Sequence, residues 1–212
     1  MATAIARAGF SLHTWARRPA SSCGQDGVPH QRHDAVRDLG TACDVVCLCV
    51  PTDDDVRQLT VDLLEGLRPG STLVNHGTGL PTNAVRFTEM CAAGGVDVLD
   101  APVSGGRPAA EARRLTTLVG GAQSAARRCE PIFAAFSDHV VHLRPTGAGQ
   151  TAKLFNNALL MMNQAAIAEI VDTAAELTLD IPHLVQALTL GSAFSAAMDA
   201  AGVDAHASPR VA

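Results

Sequence analysis

The sequence predicts an α/β protein in which a doubly wound parallel sheet is followed by one long helix. Apolar runs with strand character alternate with helical patterns along most of the chain, as expected when helices cover both faces of a parallel sheet. The run from Asp44 to Val50 is almost entirely apolar and ends at Pro51, which is typical of a strand buried on both faces. A helical pattern begins near Gln150 and continues toward Leu177, and its apolar content predicts burial on several sides.

The elements follow one another in a regular order. Residues 2–8 resemble the end of a helix, because Gly9 is a typical C-terminal stop. Residues 10–15 then alternate like a strand. Strand and helix patterns continue at 44–50, 53–67, 71–75, 81–93, 96–101, 115–119, 124–136 and 140–143. After Leu190 the chain is Ala-rich, and residues 205–210 are expected to form a frayed terminus.

The composition argues against several classes of function. The chain has 212 residues, 47% of them hydrophobic, and a net charge of -5, so it can bury a sizeable core. A negative chain without a run of Lys or Arg does not suit nucleic acid or an anionic membrane as a partner. We find no stretch of transmembrane length and no signal segment after Met1, which predicts a cytoplasmic protein. The six cysteines and eight histidines show no ligand spacing, so we expect no metal site and reduced thiols in the core.

The start of the long helix carries a first candidate site. A Gly-rich turn at 147–149 leads into it, and Lys153 and Asn157 lie four residues apart, so both side chains project from one face. Gln150 lies a turn earlier on the same stripe. An ammonium and a carboxamide on one face suit proton transfer and hydrogen bonding to one small molecule. The alternative is a solvated lysine near a helix start.

A second candidate site follows the strand at 96–101. Ser104, Gly105 and Gly106 come soon after this strand ends, and ligands of open α/β sheets bind at that edge. Two adjacent glycines leave backbone N–H groups approachable by an anion, and the serine hydroxyl adds a neutral donor. A substrate carboxylate would fit there. The alternative is an ordinary glycine turn.

Both segments, in this order and at a similar separation, resemble the signatures of the β-hydroxyacid dehydrogenase family. This family includes 3-hydroxyisobutyrate dehydrogenase, tartronate semialdehyde reductase and 6-phosphogluconate dehydrogenase. The resemblance covers most of the chain. It implies that Ser104, Gly105 and Gly106 bind the substrate carboxylate, that Lys153 is the general acid/base, and that Asn157 contacts the reacting oxygen.

The resemblance also implies a domain organisation. Residues 1–145 would form a Rossmann-like NAD(P)-binding domain, and residues 146–212 would open an incomplete all-α domain for substrate and oligomerisation. Compared with the family, Met1 falls inside the first helix, so the first strand and its Gly-x-Gly-x-x-Gly turn are lacking. Residues 147–152 fit the Gly-x-Gly-x-x-Ala variant, but we reject them as the phosphate loop because their helix continues without a second strand.

The resemblance predicts a nicotinamide dinucleotide as cofactor. Val50 and Pro51 match the family segment that lies against the cofactor, and Thr78 matches its nicotinamide-side position. No acidic residue follows the strand at 10–15, where a ribose-binding carboxylate for NAD is expected. Arg17 stands there and suits a 2′-phosphate, so NADP is favoured over NAD. The alternative for Arg17 is a solvated loop residue without a role in cofactor binding. The alternative for Thr78 is a hydroxyl that only stabilises a turn.

These assignments predict an NAD(P)-dependent oxidoreductase that transfers a hydride between nicotinamide and a small 3-hydroxy acid or its semialdehyde. The resemblance implies a homo-oligomer. Because the glycine loop is lacking, the alternative is a truncated, non-catalytic relative that acts as an oligomerising or binding module. An imine-reducing relative is disfavoured, since such enzymes tend to replace the helix lysine. The family has glycine where this chain has Arg113, which leaves the substrate shape open.

Overall fold

The computed structural model describes residues 1–18 and 27–198 and confirms the α/β class. The chain divides into two compact units, Met1–Lys153 and Leu154–Ala212, whereas the family resemblance implies a division between residues 145 and 146. The first unit contains the sheets and their crossover helices. The frayed terminus expected at 205–210 lies outside the described residues.

Helices and strands alternate through the first unit, and two helices reach into the second. In chain order the elements are α1 (Ala2–Arg7), β1 (His13–Thr14), β2 (Gln31–Arg32), α2 (Val36–Ala42), β3 (Val45–Leu48), α3 (Asp53–Leu64), β4 (Thr72–Asn75), α4 (Pro81–Ala92), β5 (Asp97–Asp100), β6 (Val103–Ser104), α5 (Gly106–Glu111), β7 (Leu115–Gly121), α6 (Gln123–Ala134), β8 (Ser137–Arg144), α7 (Ala148–Glu176) and α8 (Ile181–Leu190).

The larger sheet has six strands in the order β3-β4-β5-β7-β6, with β8 paired to β7. β3, β4 and β5 are parallel to one another. β7 returns antiparallel to β5 and β6, and β8 then runs parallel to β7. Parallel strands joined by helical crossovers are the Rossmann-like arrangement that the sequence predicts. The antiparallel ladders are not predicted by it.

The sheet is interrupted between β1 and β3. Among the described residues β1 and β2 pair only with each other, in parallel. β3 is a terminal strand of the larger sheet, with β4 as its neighbour. In a doubly wound sheet the first strand of the fold lies between these two edges. The interruption therefore agrees with the prediction that the first strand is lacking.

Hydrophobic side chains are buried on both faces of the larger sheet. Neighbouring residues of a strand point to opposite faces, so Leu73 belongs to one core and Val74 to the other. The first core packs the strands against α2, α3 and α4, and Leu63 lies within it. The second packs them against α6 through Phe133. This double cover explains why the two middle residues of β4, and likewise those of β5, are both apolar.

α3 shows how local sequence specifies a helix. The side chain of Thr52 accepts a hydrogen bond from the N–H of Asp55 at 3.1 Å and so caps the N-terminus. Three aspartates occupy the first turn, where the helix dipole favours negative charge. The buried residues are Val56, Leu59, Thr60 and Leu63. Their spacing places one apolar stripe against the core.

The expectation that the strand over 44–50 is buried on both faces is wrong. Alternate residues of β3 are buried, but Cys47 and the following Cys49 are exposed. The reason is that β3 is the edge strand of its sheet, and the described part of the chain leaves the side chains of Cys47 and Cys49 uncovered. Cys91 and Cys129 lie in the two cores, as predicted.

The sequence pattern does not predict β2, α2, β6, α5 or α8. β2 and β6 have two residues each, which is too short to show a period. α5 has six residues and includes Pro108. α8 carries a recognisable start signal, because Asp180 accepts a hydrogen bond from the N–H of His183 at 3.0 Å and Pro182 stands in the first turn.

The second unit contains most of α7 and all of α8. The prediction that α7 is buried on several sides leaves open whether this chain or another subunit covers it, and within the described residues several of its large side chains are exposed. Phe155, Met161 and Met162 are 72%, 69% and 67% exposed. A helix that is apolar on all sides predicts burial but does not say by what. None of the helices in residues 1–18 and 27–198 has the length and apolar character needed to cross a membrane.

A buried carboxylate fastens the N-terminus of α7 to the sheet. Asp100 ends β5 and is 1% exposed. Its Oδ1 accepts the N–H of Gly147 at 2.7 Å, and its Oδ2 accepts the N–H of Gln150 at 2.9 Å. These N–H groups have no partner within the helix, and the helix dipole favours negative charge here. Burial raises the pKa of Asp100 even though the N–H donors oppose the shift.

Glycine is required where α7 approaches Asp100. A Cβ on Gly149 would overlap the carbonyl oxygens of Leu118 and Asp100. A Cβ on Gly120 of β7 would lie 2.5 Å from Oδ1 of Asp100. Gly147 has a φ of +86°, which side-chain-bearing residues rarely adopt. The Gly-rich turn is therefore explained first by close backbone packing.

We expect Asp100→Asn to lower the free energy of unfolding by about 1–3 kcal/mol, because one buried N–H group then faces an amide NH₂ instead of an acceptor. Chemical denaturation measures the effect. Asp138→Asn, at an exposed position of β8, is the control and should change the free energy of unfolding by less than about 0.5 kcal/mol. An Asp100→Asn protein as stable as the parent would show that the carboxylate is not the anchor.

The C-terminus of α5 gives a backbone reason for the glycine that the family resemblance places at Arg113. The N–H of Arg114 donates to the carbonyl of Ala109 at 2.8 Å, and the N–H of Arg113 donates to that of Ala110 at 3.3 Å. This pairing is a Schellman motif, which requires a left-handed residue and usually has glycine there. Arg113 has a φ of +58°. The substitution therefore places a side chain where the backbone favours none.

We expect Arg113→Gly to raise the free energy of unfolding by up to about 1 kcal/mol, since a left-handed residue with a side chain costs roughly 1–2 kcal/mol and the unfolded-state entropy of glycine offsets part of the gain. Thermal or urea unfolding measures it. Arg114→Gly, whose φ is not positive, should instead destabilise the protein. The same change in both variants would contradict this account.

Candidate active site

The segments that follow β3 and β4 pack against each other at the carboxyl edge of the sheet. A Cβ on Gly77 would lie 2.7 Å from the carbonyl oxygen of Val50. The carboxylate of Asp53 accepts the N–H of Leu80 at 2.9 Å and the side-chain amide of Asn83 at 2.7 Å. Ligands of open α/β sheets bind at this edge.

Three of the residues predicted to contact a cofactor lie in these two segments. Val50 and Pro51 follow β3, and Thr78 lies in the segment after β4. The packing of Gly77 on Val50 brings the segments together. The structure thus provides an apolar surface and a hydroxyl at one edge, and the assignment of these residues to the cofactor stays a prediction.

Gln150 ties the segment after β4 to α7. Its side chain is 1% exposed. Oε1 accepts the N–H of Gly79 at 2.9 Å, and Nε2 donates to the carbonyl oxygen of Gly77 at 2.8 Å. The two bonds flank Thr78. Sequence reasoning places Gln150 on the stripe of Lys153 but misses this role, because its partners are backbone groups 71 and 73 residues earlier.

Lys153 lies one turn after Gln150 and is the only lysine of the 212-residue sequence. Its side chain is partly buried, and this burial lowers the pKa of the amine. A lowered pKa brings an amine closer to giving and taking protons near neutral pH.

Ser104, Gly105 and Gly106 lie where β6 passes into α5. Ser104 pairs with Thr116 of β7. Gly105 has a φ of +120°, and its Cβ would lie 2.5 Å from that of Ala109. Gly106 has a φ of +65° and begins α5. The backbone therefore requires glycine here for its own reasons, and the carboxylate-binding role stays a prediction.

Asp100 connects the two sequence motifs. It receives the N–H groups that begin α7, one turn before Lys153. Ser104 follows Asp100 by four residues and is the last residue of β6. Asp100 precedes the Ser104–Gly106 motif in the sequence. The sequence around it does not indicate that its hydrogen-bond partners are Gly147 and Gln150, because these lie 47 and 50 residues later. Its position shows that both motifs are attached to the end of one strand.

Asn157 lies on α7 one turn after Lys153, in the second unit. Helical spacing places it on the same side of the helix as Lys153. Its Oδ1 accepts a hydrogen bond from Nδ2 of Asn156 at 3.4 Å. Its predicted contact with the reacting oxygen stays a prediction.

Arg17 follows β1 and is paired with a carboxylate. Its guanidinium lies 2.6 Å from Oδ1 of Asp55, in the first turn of α3. Hydrogen bonds from Thr52 and Arg17 lower the pKa of Asp55. The Arg17 side chain is half-exposed, so solvent screens its attraction to Asp55. A phosphate can therefore compete with Asp55 for this guanidinium.

His76 is a buried histidine that sequence reasoning does not single out. Burial lowers its pKa to about 4, so it is neutral at physiological pH. Its Nδ1 donates to the carbonyl oxygen of Ala101 at 2.8 Å, and its ring meets Phe133 and Phe136 edge to face. It follows β4 directly and links the ends of β4 and β5. We assign it a structural role.

The described residues contain no cluster of three or more His, Cys, Asp or Glu side chains that could hold a metal ion. A cavity of about 530 Å³ lies at the opposite edge, at the amino ends of β3 and β4. Arg68 and Arg128 line it, but each is paired with an aspartate. The candidate site therefore stands at the carboxyl edge, beyond the ends of β3, β4 and β5.

Comparisons with known proteins agree with this geometry. Residues 1–144 match the family model for the NAD binding domain of 6-phosphogluconate dehydrogenase. Residues 147–208 match the model for NAD-binding of NADP-dependent 3-hydroxyisobutyrate dehydrogenase. The two matches meet at the Gly-rich turn before α7.

The individual relatives are also named as dehydrogenases. A probable 3-hydroxyisobutyrate dehydrogenase of Mycobacterium bovis is 36% identical over 146 residues, covering 69% of this chain and 50% of the relative. The NAD-dependent L-serine dehydrogenase of Pseudomonas aeruginosa is 34% identical over 172 residues, covering 80% and 58%. The solved structure of Mycobacterium tuberculosis 3-hydroxyisobutyrate dehydrogenase with L-serine has a TM-score of 0.86 at 30% identity, covering 92% of this chain and 67% of that one.

The chain spans about half the length of the first of these curated relatives. The family model over residues 1–144 matches more than half of the chain. The sheet, the long helix and both motifs occur in the order that the resemblance predicts. The chain therefore belongs to the β-hydroxyacid dehydrogenase family.

Proposed function

We propose that this chain carries the active site of an NAD(P)-dependent oxidoreductase, which transfers a hydride between nicotinamide and a small 3-hydroxy acid or its semialdehyde. The position of Lys153 carries this proposal. The only lysine of the chain is partly buried one turn into α7, and Asp100 and Gln150 tie that turn to both predicted binding segments. The names of the relatives, among them 3-hydroxyisobutyrate dehydrogenase and L-serine dehydrogenase, support the reaction class.

Lys153 is the proposed general acid/base. In oxidation its neutral amine takes the hydroxyl proton of the substrate while the C–H bond of the same carbon gives up its hydride, and in reduction the ammonium returns the proton. A bound nicotinamide accepts or supplies that hydride. The partial burial of Lys153 increases the fraction of amine that is ready to act as a base.

The remaining substrate contacts follow from the two motifs. We assign the substrate carboxylate to Ser104 and to the N–H groups of Gly105 and Gly106, and the reacting oxygen to Asn157. The Mycobacterium tuberculosis structure was solved with L-serine, which is itself a 3-hydroxy acid. This supports a small hydroxy acid as substrate.

The cofactor contacts fit a dinucleotide chemically. Val50 and Pro51 offer an apolar surface, Thr78 a hydroxyl and Arg17 an exposed cation. We propose that Arg17 binds a 2′-phosphate and that NADP is favoured over NAD. The relatives do not favour one of the two cofactors. The Pseudomonas aeruginosa relative is named NAD-dependent, whereas the family model that matches residues 147–208 is named for an NADP-dependent enzyme. We assign cofactor binding to residues 1–145 and substrate binding and oligomerisation to 146–212.

We expect Lys153→Ala to lower turnover at least about a hundredfold, because it removes the proton-transfer group. Nicotinamide absorbance measures turnover with a panel of small 3-hydroxy acids, and circular dichroism checks folding. Glu130→Ala, at an exposed position of α6, is the control and should keep parent activity. In the parent the oxidation rate should rise with pH through the lowered pKa of Lys153. Unchanged turnover in Lys153→Ala would remove this residue from the mechanism.

We expect the chain to bind NADPH more tightly than NADH, and Arg17→Ala to remove the difference, because an arginine is well suited to a phosphate dianion. Fluorescence titration of the reduced cofactors measures both affinities. Arg127→Ala, an exposed arginine of α6, is the control. A preference for NADPH that survives Arg17→Ala would assign the 2′-phosphate to another group.

A second candidate function is a non-catalytic oligomerising or binding module. It is favoured by the interruption of the sheet between β1 and β3 among the described residues. The cofactor titration separates the two functions. Binding of neither NADPH nor NADH would support the module.

We also propose that the chain forms a homo-oligomer through the second unit. Large apolar side chains of α7 and α8 are exposed, with Phe155 at 72% and Leu190 at 82%, and extensive exposed apolar surface marks interaction sites. A monomer in sedimentation velocity would contradict this.

The cytoplasm stays the proposed compartment, which cell fractionation tests.

A further inference from the structure

Gln150 joins two parts of the proposed active site through one buried amide. Its Oε1 and Nε2 hold Gly79 and Gly77, on either side of Thr78, at 2.9 and 2.8 Å. Its own N–H is held by Asp100 at 2.9 Å. Lys153 follows one turn later on α7. One residue therefore contacts the cofactor-side loop and the anchor of the catalytic helix together.

A neutral amide is suited to this position. The loop presents one N–H and one carbonyl oxygen, and glutamine supplies both an acceptor and a donor without a charge. Methionine, of similar length, would leave both backbone groups without a partner. Glutamate would accept from Gly79 but repel the carbonyl of Gly77. Its charge would also favour the ammonium form of Lys153.

We propose that Gln150 is a positioning residue that holds the loop of Thr78 in a fixed place relative to Lys153. This inference rests on the proposed function, since the loop carries the nicotinamide-side contact and Lys153 exchanges the proton. Hydride and proton leave neighbouring atoms of the substrate, so both acceptors must keep their separation. Misplacement by about 1 Å can lower a rate about a hundredfold.

The test compares Gln150→Met and Gln150→Glu with the parent chain. Gln150→Met removes both side-chain hydrogen bonds at similar volume. Gln150→Glu keeps the acceptor and loses the donor while it is ionised. Gln58→Met and Gln58→Glu make the same changes at an exposed position of α3 and serve as matched controls.

The first measurement is amide hydrogen exchange of Gly79 by NMR. We expect exchange to become about tenfold faster in Gln150→Met, as the loss of one hydrogen bond implies. Gln150→Glu should behave similarly at neutral pH. Its protection should return as the pH falls, because a protonated carboxyl group can accept from Gly79 and donate to Gly77. The Gln58 controls should leave the exchange unchanged.

The second measurement is the titration of Lys153. Reductive methylation with ¹³C-formaldehyde labels the amines of Lys153 and Met1 alone, because the chain has no other lysine. In Gln150→Met the pKa of Lys153 should rise toward its ordinary value, since a released loop lets water reach the helix start. In Gln150→Glu it should rise further at neutral pH through the added negative charge. The signal of Met1 is the internal reference.

The third measurement is the separation of kcat from KM. We expect Gln150→Met to lower kcat at least about tenfold per folded molecule through misplacement, with little change in KM. A purely structural role would reduce the amount of folded protein and leave kcat per folded molecule unchanged. Should Gln150→Met not fold, Gln150→Glu at low pH, where both hydrogen bonds can form, keeps the comparison possible.

Each outcome decides the inference. Unchanged exchange of Gly79 in both variants would overturn it, and so would faster exchange with the titration of Lys153 and kcat both as in the parent. If the parent neither binds NADPH or NADH nor shows turnover, the proposed function fails. Exchange and titration then still decide whether Gln150 couples the loop to Lys153.

Discussion

The carboxylate of Asp100 determines where α7 begins and how its first turn faces the sheet. It accepts the N–H groups of Gly147 and Gln150, which no helical carbonyl could satisfy. A buried carboxylate without such donors would be strongly destabilising. The helix start therefore has one place to dock, at the end of β5. Because Asp100 holds the first turn of α7, it also fixes the position of Lys153 one turn later.

The glycines around Asp100 have the same cause. Gly149 and Gly120 leave no room for a Cβ beside the carboxylate, so the Gly-rich turn serves helix docking and needs no phosphate to explain it. This agrees with the rejection of residues 147–152 as a dinucleotide loop. Gln150 extends the same contact to the loop after β4. The ends of β4 and β5 and the start of α7 are thus joined by one set of hydrogen bonds.

The choice of basic residues fits this arrangement. The chain has 16 Lys and Arg, and a single one of them is lysine. Arginine remains protonated in proteins, whereas the pKa of a lysine amine shifts readily when it is buried. The one lysine, Lys153, is partly buried on the first turns of α7. Arginine occupies the paired positions, such as Arg17 with Asp55.

The sequence by itself determined the order of the main strands and helices, the long helix, and the shared face of Lys153 and Asn157, because these depend on local spacing and apolar period. Only the tertiary structure decided that Asp100 and Gln150 hold the site together, because their partners lie about 50 and more than 70 residues away along the chain. It also decided that Cys47 is exposed on a terminal strand. An apolar period specifies which side chains share a face, but burial depends on which distant segment covers that face.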